Sequence, residues 1–326
     1  MKPTPPIVMY SDSSPVWLRR FTKLVAASTL FLIFAGAMVT STGSGLAVPD
    51  WPTTYGQNMF TFPLSKWVGG IFYEHGHRLV ASTVGFLVII QAVWLQRREP
   101  KKFVRTLGWL SLGAVIVQGI LGGLTVRFLL PKAISISHAG LAEIFFCLNV
   151  SIAFFTSRWY HELRTVEKGD APVGMAWGLT GLVYAQIIAG AVMRHMQAGL
   201  AIPDFPLSFG KILPNFVNPQ IVAAFVHRAG GFVVAVAVIA MAVRLLRYEP
   251  NHPLRAIAHL LLAVVTAQIV LGGYVIWSGK QPHITSLHVI VGASTLALSL
   301  LLTLASRTLA WRKTPTPSAT LIEVAA

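Results

Sequence analysis

Glu74-His75-Gly76-His77-Arg78 decides the reading of this chain, because its last two residues return as His227-Arg228, 150 positions further on. A second histidine follows each first one at the same distance: His77 and His138 lie 61 residues apart, as do His227 and His288. The offset of 150 also aligns Gln118-Gly119-Ile120-Leu121-Gly122-Gly123 with Gln268-Ile269-Val270-Leu271-Gly272-Gly273. An offset of 154 aligns Gly45-Leu46-Ala47-Val48-Pro49-Asp50-Trp51-Pro52 with Gly199-Leu200-Ala201-Ile202-Pro203-Asp204-Phe205-Pro206, so the loop before the first histidine is longer in the first half. The chain therefore divides into two copies of one unit, residues 1–172 and 173–326, each with one histidine pair.

Charged residues make up 11% of the chain, hydrophobic ones 54%, and mean hydropathy is +0.65. A soluble domain carries roughly 25% charged residues, so the composition is that of an integral membrane protein. The net charge of +15 does not call for nucleic acid, because the basic residues sit in short stretches between apolar runs. Cys147 is the only cysteine and lies in an apolar segment. That excludes an intrachain disulfide or a cysteine cage and leaves histidine as the main metal ligand.

Residues 1–15, rich in proline and serine, read as a flexible tail, and so does the Pro/Thr/Ser-rich stretch after Lys313. The apolar run from about 24 to 39 resembles a signal peptide in isolation, yet its counterpart near 176–193 lies mid-chain, so it is kept as a membrane helix. Seven further runs approach the roughly 20 residues that cross a bilayer. They fall near 74–95, 107–127, 134–156, 174–194, 221–243, 256–277 and 284–305. Eight spans, four per half, predict an all-α membrane protein built as two four-helix bundles. An even number per half gives both the same orientation, a parallel repeat about a pseudo-twofold axis along the membrane normal.

Lysine and arginine gather in the tails and after spans 2, 4 and 6. The opposite connections hold only Lys66, Arg127, Lys132, Arg194, Lys211 and Lys280. Both termini are thus expected in the cytoplasm of a cell (inner) membrane, with 41–72 and 195–220 as outward loops whose aromatic residues suit amphipathic segments at the lipid interface.

His77, His138, His227 and His288 fall in the first turns of spans 2, 4, 6 and 8, all running inward, so the four share one depth near the outer face. Two neutral imidazoles on opposed helices suit the axial positions of a haem iron. A lone membrane histidine is as well explained by a hydrogen bond between helices, but four at duplicated spacing favour ligation. Arg78 and Arg228 suit haem propionates, or snorkel to the headgroups. Gln118 and Gln268 read as helix-packing hydrogen bonders, and the Gly-Gly pairs beside them permit close approach. His75, His161, His195, His252, His259 and His283 read as interfacial.

The halves differ in acid. Glu74 aligns with Ala224 and Glu143 with Ala293, so only the first half sets carboxylates beside its histidines. Such a group moves protons or stabilises positive charge, although Glu74 is also one turn from Arg78 and placed to pair with it.

With these residues in view, the chain from about 20 to 308 resembles the haem A synthase family. The resemblance rests on Glu74 to Arg78 as the E-x-x-H-R signature, the three other histidines, the eight spans and the Gly-Leu-Ala-x-Pro-Asp loop. It implies oxidation of the C8 methyl of haem O to a formyl group, giving haem A for terminal oxidases. It further implies that His77 and His138 bracket the substrate haem, that His227 and His288 ligate a resident haem b, and that Glu74 is the catalytic carboxylate. The partners implied are the protohaem farnesyltransferase that makes haem O, cytochrome oxidase assembly, an electron acceptor and membrane lipid, with no nucleic acid. Some members carry a cysteine pair in the first outer loop; residues 41–72 contain none.

A di-haem b-type transmembrane electron carrier is the alternative, but it would stack its haems across the bilayer, whereas all four ligands here lie at one side. A transporter would place polar groups at the midplane instead. The topology yields a test. Reporter fusions at residue 326 and within 52–66 should report opposite sides of the membrane, and the same side at both points would contradict an even number of spans.

Overall fold

The computed structural model describes residues 14–164 and 171–310. Of the tail expected at 1–15, residues 1–13 lie outside them, as does the stretch after Lys313, whereas Ser14 is buried and donates its hydroxyl to Glu99. Among the described residues nine α-helices run in the order α1 (Val16–Ser41), α2 (Gly70–Arg98), α3 (Lys102–Arg127), α4 (Lys132–Thr156), α5 (Arg158–Leu163), α6 (Val173–His195), α7 (Pro219–Leu245), α8 (Arg255–Trp277) and α9 (Pro282–Ala310). All but the short α5 are long and apolar enough to cross a membrane, and they contain the eight expected spans. Several begin earlier than hydropathy suggests: α2 starts at Gly70 and α7 at Pro219, so His77 and His227 sit about two turns inside rather than in the first turn. Asn218 accepts the Ile221 N–H at 2.9 Å and Pro219 follows at the first helical position, a combination that starts α7 without leaving those groups unpaired.

Within each half the helices form a ring. In the first, α1 packs on α2 and α4, and α3 lies between α2 and α4; in the second, α6 packs on α7 and α9, and α8 lies between α7 and α9. The rings meet through α1 against α9 and α4 against both α6 and α9. A buried threonine pair ties the first helix of each ring to its last: Thr22 to Thr156 and Thr180 to Thr303, both 2.9 Å between hydroxyl oxygens.

The apolar core lies toward the helix ends away from the duplicated histidines. Its largest cluster takes Val238, Met241 and Leu245 from α7, Leu254 to Val265 around the start of α8, and Leu296 to Leu309 from α9, joined by Phe146, Val150 and Phe154 of α4. The first ring is tied at the same level by polar contacts. Asn149 Oδ1 accepts from Gln91 Nε2 at 2.8 Å and from Ser111 Oγ at 3.1 Å, joining α2, α3 and α4. Met241, Leu261 and Ser299 occupy the corresponding positions of the second ring, which is held there by apolar contact instead.

Asn149→Leu should leave Gln91 and Ser111 without their shared acceptor in a setting that offers no water. A loss of about 1–3 kcal/mol is expected, read as a lower unfolding midpoint of the detergent-solubilised protein. An unchanged midpoint would mean that the triad contributes nothing to the first ring.

Candidate histidine sites

Each of the four duplicated histidines lies against a glycine of the helix preceding its own. A Cβ added to Gly36 of α1 would stand 3.1 Å from His77 Cε1, and one on Gly122 of α3 would stand 3.2 Å from His138 Cε1. In the second half the values are 2.8 Å from Gly190 of α6 to His227 and 3.3 Å from Gly272 of α8 to His288. A methyl group at Gly190 would force the ring to shift and one at the other three would crowd it, so the glycines let each imidazole approach the backbone of the preceding helix closely. The Gly-Gly pairs therefore divide their work. Gly122 and Gly272 receive the histidines, while Gly123 and Gly273 receive the rings of Trp51 and Phe205 from the outer loops.

The histidine level is thinly filled. In α1 no residue between Thr29 and Ala37 is buried, in α2 none between His75 and Val84, in α7 none between Ala224 and Val234, and in α8 none between Val265 and Gly273. All four histidines are half-buried rather than enclosed. Nδ1 of His77, His138 and His288 is buried with no hydrogen-bond partner, whereas His227 Nδ1 lies 3.1 Å from Gln186 Nε2. The His227 and His288 rings stand 6.3 Å apart, centroid to centroid, at 82°. Two imidazoles do not complete the shell of a bare ion, but they complete that of an iron already held by four pyrrole nitrogens.

Over the outer end of each ring lies the Pro-Asp loop, folded twice in the same way. Asp50 accepts the backbone N–H groups of Tyr55 at 2.7 Å and Gly56 at 2.8 Å, and Asp204 accepts those of Phe209 at 2.7 Å and Gly210 at 2.8 Å. Tyr55-Gly56 and Phe209-Gly210 both have positive φ, and Trp51-Pro52 and Phe205-Pro206 are both cis. The loops are thus built turns rather than the amphipathic segments expected, although Phe60, Leu64, Ile212 and Val217 leave them apolar on the outside. Burial pushes the Asp50 carboxyl up, but hydrogen bonds from Thr53, Gly56 and Tyr55 outweigh it and hold the group below its ordinary value. The N–H groups of Gly210 and Phe209 do the same for the exposed Asp204. Lowered values mean the unfolded chain protonates first as pH falls, so these anchors persist at neutral pH and fail only in acid below the ordinary aspartate range.

Arg78 and Arg228 hold these loops down. Arg78 Nη1 donates to the carbonyls of Asp50 at 2.7 Å and Thr53 at 3.0 Å, and Nη2 donates to the Val48 carbonyl at 3.0 Å and to Glu74 Oε1 at 2.8 Å. Arg228 donates to the carbonyls of Asp204 at 2.7 Å, Leu207 at 3.0 Å and Ile202 at 2.7 Å. Neither snorkels, and the terminal N–H groups that would meet a propionate are engaged with backbone. Glu74 is buried and uses both oxygens, since Oε2 accepts the Val48 N–H at 2.8 Å. Ala224 stands in its place under the second loop.

His75, expected at the interface, is fully buried. Its ring packs on Phe62 at 5.1 Å and on Trp67 at 4.7 Å, and Nδ1 lies 3.0 Å from Thr54 Oγ1. It is a peg for the longer first loop, and Phe225, packed on Phe216, takes its place in the second half. Gln118 Nε2 donates to the His138 carbonyl at 2.9 Å, as expected of a helix-packing residue. Glu143 is buried, with Oε2 unpartnered. Gly36, Gly190 and Gln186 were not singled out from sequence. The 154-residue offset that relates the loops also relates Gly36 to Gly190, and that signal was there to be read.

Gly190→Ala should drive a methyl group into His227, whose ring Gln186 holds in place. A destabilisation of about 1–3 kcal/mol is expected. Gly178→Ala in the same helix, where nothing lies within 4 Å, should be neutral or stabilising. Thermal unfolding of both variants in detergent decides it, and equal midpoints would contradict the close approach.

The chain is similar in sequence to curated proteins along most of its length. It is 28% identical to a "Heme A synthase" of Halalkalibacterium halodurans over 280 residues, covering 84% of this chain and 92% of that one. It is 29% identical to one of Shouchella clausii over 265 residues (78% and 85%) and 26% identical to one of Geobacillus kaustophilus over 317 residues (93% and 95%). The family model described as cytochrome oxidase assembly protein matches residues 19–300, which takes in all four histidines, both loops and Glu74. The chain is a member of the cytochrome oxidase assembly protein family.

Proposed function

We propose that this chain carries out the haem A synthase reaction, oxidising the C8 methyl of haem O to the formyl group of haem A. The observation that carries the proposal is the duplicated seat: two imidazoles per half, each laid over a glycine, at a level the surrounding helices leave thinly filled. A flat macrocycle with axial histidines fits that seat, and the half-buried rings each leave an open edge for such a partner. The relatives' names and the family match support the same reading.

The halves are assigned unequal roles, as copies related by a pseudo-twofold axis along the membrane normal within a cell membrane, with both termini cytoplasmic. His227 and His288 hold a resident haem b, which supplies one-electron redox chemistry when bound. His77 and His138 hold the substrate. The acid asymmetry supports this order, since Glu74 lies one turn from His77 while Ala224 lies near His227. Arg78 and the Val48 N–H fix both oxygens of Glu74, so its carboxylate is preorganised without being free to swing. From there its charge stabilises positive character developing at the methyl carbon, or orients the water that attacks it. Two successive two-electron oxidations lead through an alcohol to a gem-diol, which loses water to give the aldehyde, and the electrons pass to an acceptor. Haem O arrives from its farnesyltransferase, and haem A leaves for oxidase assembly. A di-haem electron carrier is disfavoured, because the four histidines occupy one end of the bundle.

Two substitutions separate the roles. His227→Ala or His288→Ala should remove the resident haem b spectrum, and its loss from His77→Ala instead would reverse the assignment. Glu74→Gln should retain both haems and fold yet yield little haem A, with haem O or its alcohol accumulating. Near-normal haem A from that variant would rule out a role for the charge, whereas loss of protein or haem in step with product would assign Glu74 to the loop alone.

A further inference from the structure

Arg194 is a cation in the penultimate position of α6, and no carboxylate among the described residues pairs with it, whereas Glu74 pairs with Arg78 and Glu99 with Lys101. Its Nη2 donates to Ser41 Oγ of α1 at 2.6 Å and, at the limit of 3.5 Å, to the Ala37 carbonyl. Ser286 of α9 donates in turn to Ser41 Oγ at 3.1 Å. The guanidinium therefore sits where both halves meet, joined through Ser41 to Ser286, which lies two residues before His288 on α9. Thr40 occupies the matching position of the first half, so only the second half has this cation.

An unpaired charge among membrane helices is costly and calls for an anion. The C-terminal end of α6 favours a cation in its last turn, but a helix end carries only about half a charge and saturates no N–H group of the arginine. Haem brings two carboxylates to its seat, and a guanidinium presents five N–H donors arranged to take one. Arg78 and Arg228, the arginines next to the histidines, have spent most of theirs on loop carbonyls.

We propose that Arg194 is the carboxylate-binding residue of the second-half seat, holding a propionate of the haem bound by His227 and His288 while its Ser41 bond ties that seat to the first half. The inference rests on the reading of His227 and His288 as haem ligands. A cation at the propionate favours the reduced, less positive iron. Removing it should therefore lower the midpoint potential, whereas a residue that only clamps α6 to α1 would change stability and not potential.

The test is a redox titration of the purified haem-containing protein, with haem content measured on the same samples. Arg194→Gln should shift the haem b potential downward and release haem on washing, Arg194→Lys should stay near the unchanged protein, and Ser41→Ala should leave the potential alone. A Gln variant with haem and potential both unchanged overturns the proposal, and assigns the guanidinium to the helix clamp or to a lipid headgroup. A Ser41→Ala shift equal to that of Gln also overturns it. If the Gln variant does not accumulate, Arg194→Met, which keeps the length of the side chain without its charge, decides by the same two readings: a lowered potential with haem released on washing supports the proposal, and haem and potential both unchanged overturn it. Haem retained in His288→Ala would instead sink the underlying ligand assignment, which the Arg194 variants do not touch.

Discussion

The architecture depends on the contact between an imidazole and a glycine. His77, His138, His227 and His288 are each placed so that the preceding antiparallel helix presents a bare backbone to the ring, through Gly36, Gly122, Gly190 and Gly272. A methyl group at any of the four would meet Cε1 at 2.8–3.3 Å. The contact thus fixes the axial register of α1 on α2, α3 on α4, α6 on α7 and α8 on α9. Close packing of this kind is how membrane helices associate, since lipid gives no hydrophobic incentive for them to do so. Here it also sets the depth and the facing of each histidine.

With the register fixed, the bundle separates into two levels. At the end away from the histidines, leucine, valine and phenylalanine fill the interior. At the histidine end, the interior is lined by half-buried histidines and glycine backbone and covered by a loop that Arg78 or Arg228 draws down through its carbonyls. A dense core at one end and an open level at the other is the division expected of a protein that must hold a large flat ligand without losing its helical frame. The loops are not floppy connections, because each arginine binds three of their carbonyls.

Much of this was legible in the sequence. Hydropathy located all eight spans because each is one uninterrupted apolar run, and the histidine spacing singled out four residues that the structure places in matching contacts with glycines of the preceding helices. What the sequence left open follows from geometry that no spacing encodes. The choice of Arg78 and Arg228 between propionate and headgroup turned on where loop carbonyls would stand, and those depend on the turns at Tyr55-Gly56 and Phe209-Gly210. His75 passed for an interfacial residue because its cage comes from Phe62 and Trp67, residues of a loop with no periodicity. Arg194 looked like one more basic residue of an outward connection, since its lack of an acidic partner becomes visible only when α1, α6 and α9 are brought together. The signature Glu74 to Arg78 was read correctly as a place where acid and base meet, but the two possible reasons for Glu74 prove compatible. Its pairing with Arg78 is present, and it is also what would hold the carboxylate still beside a substrate.

The most direct test of the central claim is extraction and chromatographic separation of haems B, O and A from the unmodified protein, purified from cells that also express the farnesyltransferase that makes haem O. Two unequal seats predict haem B together with haem O and haem A in the same preparation. Haem B alone at two per chain would contradict the account and leave a di-haem electron carrier in its place.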